Sequence, residues 1–306
     1  MNWHLKVAGY KLLAAVPGGT AFYRFSQRHL TKSLSPNPAR LGNKIDVGIR
    51  YLEWLSARGK TAQLLEGVHL DFGSGWHPTI PLLFYSLGLK RQYLFDVTPV
   101  LDGRLLQQTL AVFLPMVNDA QWPHRAKVRR LPPQFGNGDW RAYLEGLGLT
   151  YHAPYADVFP TLAGALDVVT STQVLLHVPP AAMPGCFKQI HNSLKPGGLF
   201  MGTIHLRDIL AGCYQPGLTK YQQLRYSPQT WERWINSPLI SFNRLKAPDY
   251  KQFLEQAGFE IQHFEVEPGT AEELKELEQV PIADCFRRYA PEELAARHLF
   301  FVAQKR

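Results

Sequence analysis

The chain has 306 residues, of which 45% are hydrophobic and 19% charged, as in ordinary soluble globular proteins of one large domain or two modest ones. Its net charge of +8 is scattered, and the densest basic run, residues 124–130, has no aromatic platform or binding module beside it, so we expect no nucleic-acid partner. The three cysteines lack metal-ligand or disulfide spacing, and no apolar run approaches the roughly 18 residues that span a bilayer. We therefore expect a cytoplasmic protein without a metal site or an integral membrane segment.

Residues 1–66 have a largely helical pattern. Apolar residues from Ile45 to Leu55 recur at helical spacing, and Gly59 is a suitable end for that helix. The Ser-Pro-Asn-Pro sequence at residues 35–38 separates it from an earlier helical piece with Phe22, Tyr23 and Phe25. We predict that this segment forms an N-terminal helical lid or cap on a second domain, residues 67–306.

From Val68 onwards, strand patterns alternate with helix patterns. The predicted strands are residues 68–72, 93–95, 149–152, 166–170, 199–204, 259–266 and 298–303. The predicted helices between them include residues 78–87, 100–117, 139–148 and 249–257, and Thr270 with Glu273 forms a capping box for another. Such alternation predicts an α/β fold with a parallel sheet and right-handed crossovers.

The insertion at residues 206–247 is rich in aromatic residues. Ser227 and Pro228 open a helix there, as N-cap and first helical residue. Tyr226, Trp231 and Trp234 have two interpretations: a hydrophobic cover over the sheet, or a lid that contacts the substrate. Trp231 and Trp234 are three residues apart and are expected to share one helix face.

The stretch V-H-L-D-F-G-S-G at residues 68–75 leads from an apolar strand into a glycine turn, and the next strand ends at Asp96. Glycines let the backbone approach a ligand closely, and an acid at the second strand end accepts hydrogen bonds from ribose hydroxyls. This pattern predicts a bound nucleoside. A nicotinamide cofactor would require G-x-G-x-x-G, but Pro78 stands at the third glycine position.

Two later segments follow in order: L-D-V-V-T-S-T-Q-V-L-L-H-V at residues 166–178 and L-K-P-G-G-L-F at residues 194–200. Together with the glycine turn and Asp96, they resemble the motifs of class I S-adenosylmethionine-dependent methyltransferases of the small-molecule type. The resemblance implies a doubly wound, Rossmann-like, mostly parallel seven-stranded sheet with an antiparallel last strand. It implies S-adenosyl-L-methionine as cofactor and S-adenosyl-L-homocysteine as product. It says little about residues 1–66 or 206–247.

The same resemblance implies a set of cofactor contacts. The turn after the first strand would hold the methionine part of the cofactor, and Asp96 the ribose. The candidates for the contact with the adenine amine are Tyr155, the backbone of Ala156 and Asp157, of which Asp157 is preferred. His77 replaces a third glycine and makes this turn bulkier. The implied cofactor-binding residues are Asp71, Gly73, Ser74, Gly75, His77, Asp96, Val97, Ala156, Asp157, Ser171, Thr172 and Gln173.

Catalysis in this family is dominated by positioning, because the sulfonium is already a strong electrophile. A base is needed only for an acceptor that carries a proton, and His177 and His205 are the candidates. For His177, a packing role is the alternative. We predict transfer to O or N of a small molecule, with Tyr226, Trp231 and Trp234 at the substrate. A lipid-like substrate at a membrane surface and a non-catalytic cofactor-binding protein on the same fold are the alternatives.

Overall fold

A seven-stranded β-sheet forms the centre of the fold. The computed structural model describes residues 3–19, 22, 26, 34–208, 218–237, 239 and 241–306. The strands are β1 (Val68–Phe72), β2 (Arg91–Phe95), β3 (Leu149–His152), β4 (Leu166–Thr172), β5 (Leu194–His205), β6 (Phe259–Glu267) and β7 (His298–Lys305). They lie in the order β3-β2-β1-β4-β5-β7-β6, with β7 antiparallel to both of its neighbours. The predicted doubly wound, mostly parallel sheet with an antiparallel last strand is confirmed.

The helices lie on both faces of the sheet and largely match their predicted positions. They are α1 (Trp3–Ala15), α2 (Pro38–Ser56), α3 (Thr61–Leu65), α4 (Thr79–Leu87), α5 (Gly103–Asn118), α6 (Trp140–Gly146), α7 (Met183–Ser193), α8 (Pro228–Thr230), α9 (Ala247–Gln256), α10 (Ala271–Glu278) and α11 (Pro291–Ala295). The capping box of α10 is confirmed, because Glu273 N–H donates to Thr270 Oγ1 and Thr270 N–H donates to Glu273 Oε2. The earlier helical piece predicted around Phe22, Tyr23 and Phe25 lies largely outside the described residues.

Two apolar cores fill the space between the sheet and its helices. One core joins α2, α4 and α5 to one face, and the other joins α7 and α9 to the opposite face. Helix α2 packs closely on α4, since a Cβ atom at Gly48 would lie 2.6 Å from Leu83 Cδ2. This close approach brings one face of α2 to the carboxyl ends of the central strands. Within the described ranges, no helix is both long and apolar enough to cross a bilayer.

The prediction that Trp231 and Trp234 share a helix face is wrong. Residues Trp231–Ile235 form a π-helical turn in which Asn236 N–H donates to the carbonyl of Trp231. This turn is wider than an α-helical one, so residues three apart no longer lie on the same side. Trp231 is buried against Phe242, whereas Trp234 is 62% exposed. The predicted N-cap is confirmed, because Ser227 Oγ accepts from Thr230 N–H at 3.1 Å.

Candidate active site

The carboxyl ends of four adjacent strands bring the predicted polar residues to one edge of the sheet. Asp71 in β1 is in register with Thr170 in β4, and Thr172 in β4 is in register with Thr203 in β5. Asp96 directly follows β2. Neighbouring strands are about 4.8 Å apart, so these side chains lie next to one another along this edge. Open α/β sheets bind their ligands at this edge.

The glycine turn after β1 is held against the end of β2. The backbone N–H groups of Gly73 and Ser74 both donate to the Phe95 carbonyl, at 2.8 and 3.2 Å. Gly73 has φ 86°, and a Cβ atom there would lie 2.3 Å from Val174 Cγ2, so only glycine fits. Gly75 also has a positive φ, but the space beside it is open. The turn therefore has one side packed against the protein and one side free for a ligand.

Asp96 accepts a hydrogen bond from the turn and is held in a largely buried position. Gly75 N–H lies 3.1 and 3.2 Å from its two carboxylate oxygens. Burial raises the pKa of Asp96 to about 7, although the hydrogen bond from Gly75 opposes this rise. Such a carboxylate has unused acceptor positions that ribose hydroxyls are suited to fill.

Asp71 is the second buried acid of the site. Thr170 Oγ1 donates to its Oδ1 at 3.0 Å, and Ser74 Oγ donates to its backbone carbonyl at 3.2 Å. Burial raises the pKa of Asp71, whereas the nearby Lys44 lowers it. An acid that is desolvated beside a lysine is suited to a ligand that carries both charges, such as an amino-acid group.

Helix α2 contributes two site residues that the sequence analysis missed. Lys44 is partly buried and donates from Nζ to the His77 carbonyl at 3.2 Å. Desolvation lowers its pKa, and the charges of Asp71 and Asp96 oppose this. Tyr51 donates to the Ser171 carbonyl at 3.3 Å, and its hydroxyl lies 3.1 Å from Thr172 Oγ1. Lys44 and Tyr51 are seven residues apart, which places them on one face of the helix. The sequence signal that could have identified them is the presence of a lysine and a tyrosine on an otherwise apolar helix face.

An apolar cavity of about 510 Å³ lies beside the glycine turn and Asp96. Its walls include Phe72, Phe95 and Tyr155, and Val97, which is 74% exposed, lies at its edge. Tyr155 is stacked on Phe95 with parallel rings 5.3 Å apart. A flat aromatic ligand suits such walls. Ala156 and Asp157 are exposed and do not line this cavity.

The ring of His77 is directed towards α5. Its Nδ1 lies 2.8 Å from Thr109 Oγ1, and the Thr109 hydroxyl donates to the Leu105 carbonyl at 2.7 Å, so Nδ1 is the donor to Thr109. Burial lowers the pKa of His77 to about 4. The contribution of His77 to the site is therefore its carbonyl, which holds Lys44.

The two histidines proposed as bases have different surroundings. His177 lies at the 510 Å³ cavity, with Nδ1 2.6 Å from the Ser241 carbonyl. His205 ends β5, and its backbone N–H donates to Gln173 Oε1 at 2.7 Å. Gln173 has φ 58°, a conformation that non-glycine residues rarely adopt and that often occurs at functional sites. Burial, followed by the charges of His298, Arg207 and Lys246, lowers the pKa of His205 to about 4, so it is unprotonated at neutral pH.

The aromatic residues of the insertion are not brought together in one wall. Trp231 lines a second cavity, of about 680 Å³, which adjoins the first at Pro179. Tyr226 packs near Trp231, with ring centroids 6.4 Å apart, and Arg244 lies 4.7 Å from the Trp231 ring centroid. Trp234 is directed to solvent. Trp231 belongs to the core on the α7 face and also lines a cavity, so it is compatible with both interpretations, a hydrophobic cover and a lid.

The sequence from residue 26 to residue 263 matches the model of a methyltransferase domain family. This match covers most of the chain, so the protein belongs to the methyltransferase domain family. It is an S-adenosylmethionine-dependent methyltransferase, and S-adenosylmethionine is its cofactor. No curated protein matches the sequence.

Several solved structures are similar to this chain. An S-adenosylmethionine-dependent methyltransferase from Mesorhizobium loti is 17% identical, with a TM-score of 0.42 over 82% of this chain and 97% of that one. One from Methanosarcina mazei is 14% identical, with a TM-score of 0.43 over 78% and 91%. The 1,6-didemethyltoxoflavin-N1-methyltransferase of Burkholderia thailandensis, solved with 1,6-didemethyltoxoflavin and S-adenosylhomocysteine, is 13% identical, with a TM-score of 0.40 over 78% and 70%.

Proposed function

We propose that this protein transfers a methyl group from S-adenosylmethionine to an oxygen or nitrogen atom of a small molecule. The observation that carries the proposal is the arrangement of two buried acids and an open glycine turn beside an apolar cavity. Ser171 Oγ, at the end of β4, is buried without a hydrogen-bond partner among the described residues, which supports a polar ligand at this position. These features fit a molecule with an apolar ring at one end and charged groups at the other.

Each part of the cofactor has a proposed partner. The adenine would lie in the 510 Å³ cavity beside Val97, with Ala156 or Asp157 near its amine. Asp96 would bind the ribose hydroxyls, and the open side of Gly73, Ser74 and Gly75 would face the methionine part. The ammonium group would lie near Asp71 and the carboxylate near Lys44, because each charge then meets its opposite. The end of β4, Ser171, Thr172 and Gln173, would lie beside the sulfonium.

When bound, S-adenosylmethionine supplies an electrophilic methyl group that is displaced in line. The residues of this chain then orient the acceptor, exclude water and take up its proton. His205 is the proposed proton acceptor. It lies one strand away from Gln173, at about the 4.8 Å that separates neighbouring strands. His177 is a second candidate, because its ring lies at the first cavity and is bonded to the carbonyl of Ser241, which lines the second.

The substrate would be enclosed by the insertion after β5. Trp231 supports this proposal because it lines the second cavity, and Tyr226 because its ring packs near Trp231. Trp234 would contribute an exposed ring. An aromatic surround favours a flat or apolar acceptor. The net charge of +8 is compatible with an acceptor that carries an anionic group.

The proposed function is tested by methyl transfer from labelled S-adenosylmethionine to a panel of phenols, amines and carboxylic acids. We expect turnover of a compound with an O–H or N–H group, and we expect His205→Ala to reduce it about 100-fold or more, the range of a lost general base. His177→Ala is the matched comparison at the other histidine. Binding of the cofactor without transfer to any member of a broad panel would favour a non-catalytic role, and full activity of both variants would exclude histidine catalysis.

A further inference from the structure

Three side chains form a line across the ends of strands β5, β7 and β6. His205 is in register with His298, and His298 is in register with Glu267. Directly opposite residues on neighbouring antiparallel strands project to the same face of a sheet. The antiparallel last strand therefore brings a histidine and a carboxylate beside His205.

The distances in this line are those of hydrogen bonds. His205 Nδ1 lies 2.9 Å from His298 Nε2, and His298 Nδ1 lies 2.8 Å from Glu267 Oε2. The other oxygen of Glu267, Oε1, pairs with Arg297 Nη1 at 2.7 Å. Both carboxylate oxygens of Glu267 therefore face a nitrogen donor, and Glu267 is an acceptor in this line.

The direction of each hydrogen bond follows from that carboxylate. Ionised Glu267 only accepts, so Nδ1 of His298 carries the proton and donates to it. In neutral His298, Nε2 is then an acceptor, and Nδ1 of His205 must be the donor to it. Neutral His205 therefore has its proton on Nδ1, and its Nε2 has a free lone pair. Within the described residues no hydrogen bond to His205 Nε2 occurs.

We propose that Glu267 and His298 are positioning residues that fix the tautomer and orientation of His205, so that its Nε2 takes the proton of a hydroxyl acceptor. The proposal rests on the proposed function and names its substrate class, a molecule with an un-ionised hydroxyl at the methylated position. His205 is bound to the neighbouring strand through Gln173, which places it beside the proposed sulfonium position. An acceptor that is already ionised, such as a carboxylate or thiolate, would not need this line of residues.

The proton and charge balance is complete within this line. The bond from the acceptor oxygen to the methyl carbon forms as the carbon–sulfur bond breaks, and the sulfonium charge is lost. The hydroxyl proton moves to His205 Nε2, which becomes an imidazolium with the same single positive charge. His298 accepts from that imidazolium, and Glu267 stabilises the charge through His298.

The experiment is a nuclear magnetic resonance measurement of histidine tautomers, which requires no acceptor. Side-chain ¹⁵N signals of His205 and His298 are assigned with His205→Gln and His298→Gln and recorded at pH 8 in wild type, Glu267→Gln and Glu265→Gln. Glu265→Gln is the matched control, because Glu265 lies on the same strand and bonds to His263 and Arg50 instead. In wild type and control we expect the Nδ1–H form of His205 to exceed the Nε2–H form about tenfold. In Glu267→Gln we expect a mixture.

A His205 that carries its proton on Nε2 in wild type, or a tautomer ratio that is the same in Glu267→Gln, would overturn the proposal. For a hydroxyl acceptor identified by the panel, Glu267→Gln is further expected to lower kcat about tenfold with little change in KM, whereas Glu265→Gln leaves both unchanged. Titration of the same samples with S-adenosylhomocysteine tests the positioning role and the proposed function separately. Normal binding with the wrong tautomer contradicts the positioning role alone, whereas absent binding contradicts the proposed function.

Discussion

Replacing Asp96 by asparagine is expected to stabilise the cofactor-free protein at pH 8. Burial raises the pKa of Asp96 to about 7 from an ordinary value of 3.8. Between these values the folded protein holds a proton that the unfolded chain loses, so the stability contributed by this group is lost as the pH rises through 7. Asparagine is neutral at every pH and removes the cost of a buried charge. The free energy of unfolding should rise by about 2 to 4 kcal/mol at pH 8 and change little at pH 4.

The same variant is expected to bind S-adenosylhomocysteine about 30- to 100-fold more weakly, because an amide cannot accept from two ribose hydroxyls as a carboxylate does. Thermal unfolding at the two pH values and calorimetric titration measure the two effects, with Asp119→Asn as the exposed control. If Asp96 only supported the fold, Asp96→Asn would be less stable than wild type and would also bind S-adenosylhomocysteine more weakly. An Asp96→Asn protein that is destabilised at pH 8, or that binds as tightly as wild type, would refute this assignment.

Replacing Lys44 by methionine is expected to weaken binding of the amino-acid part of the cofactor and to leave binding of the nucleoside part unchanged. Lys44 is partly buried and lies near Asp71 and the glycine turn, where the amino-acid part is proposed to lie. Methionine keeps the length of the side chain but has no charge to pair with the ligand's carboxylate. We expect S-adenosylhomocysteine to bind about 10- to 100-fold more weakly, the effect of a lost charge-assisted hydrogen bond.

The decisive comparison for Lys44 is 5′-methylthioadenosine, which has the nucleoside but no amino-acid group. Its affinity should be the same for wild type and Lys44→Met, whereas Asp96→Asn should weaken both ligands. Calorimetric titration of both ligands into both variants gives this pattern, with the exposed Lys90→Met as control. An equal loss of affinity for the two ligands in Lys44→Met would show that Lys44 supports the turn and does not bind the carboxylate.

Local sequence signals were sufficient to predict most of the fold. The turn after β1 was predicted because its glycines and the preceding apolar strand are contiguous, and β1 begins and ends at the predicted residues. The start of β5 was placed too late, at residue 199. It begins at Leu194 because that residue pairs with Leu166 across a shift in register, a contact that no local pattern reveals.

The parts of the site that the sequence did not reveal depend on contacts between distant elements. Lys44 and Tyr51 reach the strand ends only because α2 packs on α4. Lys44 and its partner His77, for example, are more than thirty residues apart in sequence. The ring of His77 is directed towards α5 by its bond to Thr109. The partners of His205 are determined by the register of β5, β7 and β6. The sequence pattern predicts the strands but does not fix this register to within a residue or two.

The central claim is that the glycine turn and Asp96 hold S-adenosylmethionine and not a dinucleotide. The most direct measurement is calorimetric titration of the wild-type protein at pH 8 with S-adenosylhomocysteine and, separately, with NAD. The account predicts saturable binding of one S-adenosylhomocysteine per chain and no heat with NAD. Saturable binding of NAD, or the absence of binding of S-adenosylhomocysteine to the folded protein, would contradict it.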